Sequence, residues 1–433
     1  MSELNEMPGE ELLAAVRDRR ASVAEVAQSC LRRIEEREPQ VHAFAHHDPD
    51  LVLRSARELD RHTRSAPLRG LPVGVKDLID TVDQPSEYGS PIYRGRRPHS
   101  DAAVVTRLRA AGALVAGKTV TTEFALFHPG VTANPRDTAR TPGGSSSGSA
   151  AAVADNMLAV AIGTQTAGSI IRPASFCGVV GFKPTFGAID RTGVKLISST
   201  LDTLGLFARN VTDIAMVYQA IRADSAGARP LSRRMNGRPS SRLGILRTDR
   251  QKADEGTRAA FDAFVARLDG FPGLESAEVL PPADFDHMVE AQTTVMEFEV
   301  ARNLQYEYGE HGDLLSEPAR AVIERGLKRS ETEYVRAKRL AERIGAQLPR
   351  MFHGLDGIVT PAAMGEAPLG LAFTGDPLFC RTWTLLRCPA LSLPLLRGAH
   401  GLPIGVQLVG RPHHDDALLA TAAELMNSAS SDS

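Results

Sequence analysis

Apolar residues recur at helical spacing at Val23, Val26, Ala27, Cys30, Leu31 and Ile34, directly behind Ser22 and Glu25. That S-x-x-E pair is a capping box, so a helix is predicted there with Cys30 on its buried stripe. The run Leu71-Pro-Val-Gly-Val75 is continuous and apolar, and predicts a short buried strand ending at Lys76 and Asp77. A helix over about 102–111 and a strand over 114–116 follow. In the second half, strand patterns lie at 243–246, 357–360 and 404–409, and helical ones at about 254–268, 331–348 and 415–427. This alternation reads as α/β. The stretch 149–162 is rich in Ala and Val without a period, and reads as one helix packed very close to a sheet. From about 223 to 242, Ser, Pro, Gly and Arg take over, which predicts an exposed connection. No internal repeat or heptad pattern occurs. The whole reads as mixed α/β with a variable middle, not as separate beads.

A chain of 433 residues can bury a large core. Lys plus Arg is 50 against 52 Asp plus Glu, a net charge of −2, so nucleic acid is not predicted as a partner. The first twenty residues are acidic and lack the apolar centre of a secretory signal. No run approaches the roughly 18–20 apolar residues of a membrane span. Asp155 and Asn156 interrupt the best candidate. Cys30, Cys177, Cys380 and Cys388 are scattered without metal-ligand spacing. A cytoplasmic protein with reduced thiols, no membrane partner and no metal site is expected.

Two small-residue turns, 143–149 and 163–169, carry the candidate chemistry. A serine that ends such a loop, as Ser169 does, can have backbone N–H groups converging near its own oxygen, the geometry of an oxyanion hole. A serine hydrolase ordinarily recruits His and Asp. The one G-x-S-x-G match, Gly144 to Gly148, lies inside a poly-serine loop. His46, His47, His413 and His414 sit in polar stretches and read as surface residues. No H-E-x-x-H motif is present. Lysine is left as the base. Lys76 follows an apolar strand, and burial there would favour its neutral, proton-accepting form. At this level a surface charge is the usual reading of a lysine at a strand end, and catalysis the less common one.

The segments Leu71 to Asp77, Asn134-Pro135, 143–154, 163–187, Asp202 to Gly205 and 401–412 resemble the amidase signature family. The resemblance covers about the whole chain and is weakest between 223 and 365. It implies an α/β amidase signature fold, a large mixed central β-sheet flanked by helices on both faces. It also implies one amidase domain over 1–433, with an insertion-like segment at about 223–365. Carried onto matching positions, Ser169 is the nucleophile, Ser145 the serine of a cis peptide and Lys76 the base. The N–H groups of Thr166, Ala167, Gly168 and Ser169 form the oxyanion hole. The implied reaction runs through an acyl-enzyme and needs no metal or organic cofactor. Ser146 either supports this network or is a structural hydroxyl.

Gly144 and Arg172 are the implied substrate-binding positions. Gln165, Ile171 and Arg172, with the segments Thr374 to Pro377 and Arg381 to Thr384, are similar to malonamidase-type hydrolases of small amides. In those, the matching arginine clamps a substrate carboxylate. A structural ion pair is the alternative for Arg172. The resemblance also admits the catalytic A subunit of a tRNA-dependent amidotransferase, which usually reads D-T-G-G-S-I-R where this chain has Gln165 to Ile171. A non-catalytic amidase-like binding protein is disfavoured by the presence of all three triad residues. The expected partner is a small amide, and a homodimer is open. Cys380 and Arg387 receive no functional reading.

Overall fold

In the computed structural model, residues 3–61, 66–223, 241–248 and 252–430 are described, and among them eleven strands form one sheet. They are β1 Phe44–His46, β2 Pro72–Lys76, β3 Leu114–Thr119, β4 Val160–Gln165, β5 Val180–Lys183 and β6 Thr203–Ala208. The remainder are β7 Ser241–Ile245, β8 Leu274–Glu278, β9 Gly357–Pro361, β10 Ala390–Arg397 and β11 Pro403–Val409. Their spatial order is β1-β3-β2-β4-β6-β5-β10-β11-β9-β7-β8. β2 pairs in parallel with both β3 and β4, while β4, β6, β5, β10, β11 and β9 are joined antiparallel. Every residue of β2 to β6 is buried. Successive strand residues face opposite sides, so helices cover both faces of this central part. The same burial explains why these strands read as apolar runs without alternation; β5, β6 and β10 have no counterpart in the sequence pattern.

The capping box holds as predicted: Ser22 caps the helix Val23–Val41, with Cys30 buried on it. The stretch 149–162 departs from expectation. It is a helix, Ser147–Ala154, followed by a turn and then β4. Uniformly small residues offer no period from which to place the boundary. Two local features place it: Asp155, bound by Arg37 at 2.9 Å, and Asn156, at φ 56°. His413 and His414 are exposed, but His46 and His47 are half-buried, because β1 tucks that segment against β3. Positions 224–240 of the predicted connection lie outside the described residues. No helix among the described residues is long and apolar enough to cross a membrane.

The helix Ser147–Ala154 lies almost in contact with the sheet. Ser149 Oγ donates to Ile162 O at 3.0 Å and shares a 2.7 Å hydrogen bond with Thr119 Oγ1. A Cβ on Gly148 would stand 2.1 Å from Ala43 O and 2.4 Å from Val120 N, both backbone atoms that cannot swing aside. Gly148→Ala is therefore expected to destabilise the protein by about 3 kcal/mol or more, the upper range for overpacking. A urea midpoint matching wild type would contradict this close approach.

Candidate active site

Lys76 closes β2 beside β4, with Val75 opposite Ile162. Parallel neighbours bring their C-terminal ends to one rim of the sheet, where binding sites of α/β folds form. Lys76 is fully buried, and its Nζ reaches Ser145 Oγ at 2.7 Å, Ser146 Oγ at 3.0 Å and Thr164 Oγ1 at 2.8 Å. Among the described residues no carboxylate forms an ion pair with it. Lys118, one strand away and equally buried, is paired with Asp77 at 3.1 Å. Loss of water pushes the pKa of Lys76 well below its ordinary value, opposed only by the field of Asp202. The solvated-charge reading of Lys76 is thereby excluded. In its neutral state the amine has two N–H bonds and one lone pair, so in that state one of the three hydroxyls donates to it. Ser146 already donates to Thr164 O at 3.1 Å. Ser145 and Thr164 keep their hydroxyl protons free for Lys76.

The Gly144–Ser145 peptide is cis. Beyond β4, the Gln165 side-chain oxygen accepts the N–H groups of Ile170 at 2.8 Å and Ile171 at 3.1 Å, at the start of the helix Ile171–Cys177. Gln165 thus caps a helix whose first donors would otherwise be orphaned. The N–H groups of Thr166, Ala167, Gly168 and Ser169 donate to no acceptor among the described residues. Four adjacent unclaimed donors beside a serine are what an oxyanion needs. Neither Ala167 nor Gly168 has positive φ. Gly168 is required by packing, because a Cβ there would lie 2.7 Å from Pro377 Cβ. Ser169 is nearly buried, and its Oγ makes no hydrogen bond to a described residue, Ser145 included. The structure therefore joins Lys76 to Ser145, and leaves Ser169 as a free hydroxyl at the head of the helix.

Arg172 lies on the first turn of that helix and is buried. Its Nη2 donates to Gly144 O at 2.6 Å and meets Thr374 Oγ1 at 3.4 Å. Nε and Nη1 are buried with no partner. Burial pushes its pKa down to about 10, opposed by Cys380 and Asp376. No ion pair holds Arg172 among the described residues, so the structural-pair reading is not realised. The carbonyl of Gly144 is engaged by this guanidinium. The segment around Thr374 to Cys380 roofs the serine loop: a Cβ on Gly144 would touch Thr374, and one on Gly168 would come within 3.2 Å of Cys380 Sγ. Cys380 is a packing residue whose thiol burial pushes up to about 12, and Arg387 lies over the Phe186 ring at 4.7 Å.

Sequence reasoning missed Thr164, Gln292 and Thr384. Gln292 Nε2 donates to Thr166 O at 3.0 Å and Thr384 Oγ1 to Ala167 O at 2.9 Å. One signal was available: Gln292 is a polar residue on the apolar stripe of Met288, Ala291 and Val295, where an unpartnered amide would be costly.

Comparison with known proteins matches a family model described as Amidase to residues 25–419. A relative from Anaeromyxobacter sp. (strain K), the A subunit of glutamyl-tRNA(Gln) amidotransferase, is 34% identical, with 95% of this chain and 94% of the relative covered. The native peptide amidase from Stenotrophomonas maltophilia superposes with a TM-score of 0.82 at 28% identity, covering 98% of this chain and 97% of that one. A structure described as a vestigial protein complex that reveals the origins of an s-triazine catabolic enzyme gives 0.88 at 27% identity, covering 97% and 98%.

The buried, unpaired lysine has a consequence for stability. Its folded pKa lies below the unfolded value of about 10.4, so between the two the unfolded chain binds more protons and stability rises with pH. Lys76→Met removes this contribution and adds a pH-independent change for its lost hydrogen bonds. The stability gap between wild type and Lys76→Met should therefore shift in favour of wild type as pH rises from 7 toward 10. Chemical denaturation across that range, showing a constant gap, would exclude a neutral buried lysine.

Proposed function

This chain belongs to the Amidase family, enzymes acting on amide C–N bonds, and from that premise we propose that it hydrolyses a small carboxylic amide through an acyl-enzyme on Ser169. The observation that carries the reading is Lys76, buried with no countercharge among the described residues and 2.7 Å from Ser145 Oγ. Neutral Lys76 draws a proton from Ser145, which takes one from Ser169. The Ser169 oxygen attacks the amide carbonyl, forming a C–O bond. The carbonyl electrons move onto oxygen and are held by the four free N–H groups of residues 166–169. Collapse expels the amine, which leaves with the proton returned from Lys76 through Ser145. Water then repeats the sequence on the ester, releasing the acid and restoring Ser169. No step calls on a metal or organic cofactor. The segment 1–433 acts in this reading as one amidase domain.

Arg172 supports a narrower substrate class, an amide that also bears a carboxylate, as malonamate does. Two buried guanidinium nitrogens without partners, and no ion pair among the described residues, leave a positive charge to be matched by a ligand.

The amidotransferase relatives favour a second reading, the catalytic A subunit of such an enzyme: identity of 34% spans nearly both chains. Both readings share attack by Ser169 and differ in the fate of the ammonia and the need for partners. Ammonia release by the purified chain from malonamate, aliphatic amides, aryl amides, ureas and glutamine tests them. The hydrolase reading predicts turnover of a small amide by the chain alone. Turnover of glutamine alone, and only with partner proteins and charged tRNA present, would establish the second. Under either, Ser169→Ala should abolish amide cleavage. Arg172→Ala should cost malonamate roughly 10- to 100-fold more in kcat/KM than a neutral amide, the scale of charged hydrogen bonds. Equal losses on both would end the carboxylate assignment.

A further inference from the structure

We propose that Gln292, held in orientation by Arg381 and assisted by Thr384, is a positioning residue that aims the N–H groups at Ser169. This rests on the reading of Ser169 as nucleophile and of 166–169 as its oxyanion site.

A trans peptide is planar, and its C=O and the following N–H point in opposite directions. Fixing one carbonyl therefore fixes the next N–H. In the serine loop three consecutive carbonyls are fixed by hydrogen bonds, two of them from outside the loop. Thr166 O accepts from Gln292 Nε2 at 3.0 Å, which aims the N–H of Ala167. Ala167 O accepts from Thr384 Oγ1 at 2.9 Å, which aims the N–H of Gly168. Gly168 O accepts from Arg172 N at 3.0 Å, which aims the N–H of Ser169. The third is the first turn of a helix. The first two come from side chains more than a hundred residues away.

Gln292 is fully buried on the helix Met288–Asn303. A glutamine amide can be turned either way round. Here Arg381 decides it: Nη1 donates to Gln292 Oε1 at 2.6 Å and to Thr293 Oγ1 at 3.2 Å. Arginine has no acceptor, so the Gln292 oxygen must face it and the NH2 must face Thr166 O. Thr384, on the helix Leu378–Leu385, is oriented in the same way by Gln165, whose Nε2 donates to its oxygen at 3.0 Å. The Thr384 proton is shared between Ala167 O and Cys380 O, the latter at 3.0 Å, which makes Gln292 the sharper test.

Gln292→Glu separates positioning from packing. The ionised carboxylate keeps, and strengthens, the contact with Arg381. It presents an oxygen instead of a donor to Thr166 O, and the repelled peptide turns its N–H away. Expected for Gln292→Glu is a kcat about 10- to 100-fold lower on the best amide found, below the cost of losing an oxyanion donor outright. KM should stay within about threefold, and affinity for an aldehyde analogue of the same acyl group should fall in step with kcat. Thr384→Val should act in the same direction and Thr384→Ser should restore activity, which keeps the test valid if Gln292→Glu does not fold. Wild-type kcat with intact analogue affinity in the folded variant, or a change confined to KM or to melting temperature, would overturn the proposal. A fluorophosphonate probe tells this failure from failure of the underlying reading. If wild type is labelled at Ser169 and Ser169→Ala is not, only the clamp has failed. If Ser169 is never labelled, the nucleophile assignment itself is wrong.

Discussion

The site depends on a lysine that the fold keeps dry and with which no carboxylate among the described residues pairs. A buried ammonium without a carboxylate is expensive, and proteins ordinarily supply one, as Asp77 does for Lys118. Lys76 receives three hydroxyls instead. Hydroxyls can satisfy an amine in either protonation state, whereas a carboxylate would lock it in the charged one. The arrangement of β2 against β4, and of the small-residue helix against both, follows from this need. Ser146 and Thr164 must stand within about 3 Å of Nζ, and only a helix of Gly, Ala and Ser can approach a sheet so closely.

Around that lysine the backbone does much of the arranging. The serine loop is held by its carbonyls and by the Gln165 cap, so the remaining N–H groups are left without internal partners. Unsatisfied buried donors are normally a defect. Here four in sequence lie beside a serine hydroxyl that is itself without a partner among the described residues, and donors left free in this way are what the proposed oxyanion site would use. Arg172 extends the same logic to the other side of the site. Its guanidinium braces the carbonyl of Gly144 and retains two unpaired nitrogens. The roof of Thr374, Pro377 and Cys380 packs against this loop, so the serine loop and the helix carrying Thr384 form one connected block.

Family membership and fold agree, while the named relatives divide by function. The amidotransferase relatives cover nearly all of this chain, and the peptide amidase superposes over nearly all of it as well. One scaffold thus serves both an amidase and an amidotransferase. The fold alone therefore does not decide between the two activities, which belong to sites and surfaces carried on it.

Much of the site was legible along the chain because its residues sit in two glycine- and serine-rich turns whose composition stands out from the apolar runs around them. Ser145, Ser169, the loop 166–169 and Arg172 all lie within about thirty positions, where local composition announces them. The capping box at Ser22 and the runs of β2 and β3 were likewise fixed locally, by cap chemistry and apolar continuity. The boundary between the helix Ser147–Ala154 and β4 was not, since small residues suit both and only contacts with Asp155 and Asn156 choose. Lys76 could be named from sequence but not distinguished from a surface charge. Its state is a property of burial, and burial requires strands from distant positions to close around it. Gln292 could be singled out as a polar residue on an apolar helical stripe, but not its partner: nothing local tells that its amide meets a carbonyl 126 positions away, and Thr384 carries no such signal at all. The sequence determined which groups can react, and the tertiary structure decided which are dry, which are paired and which way the peptides point.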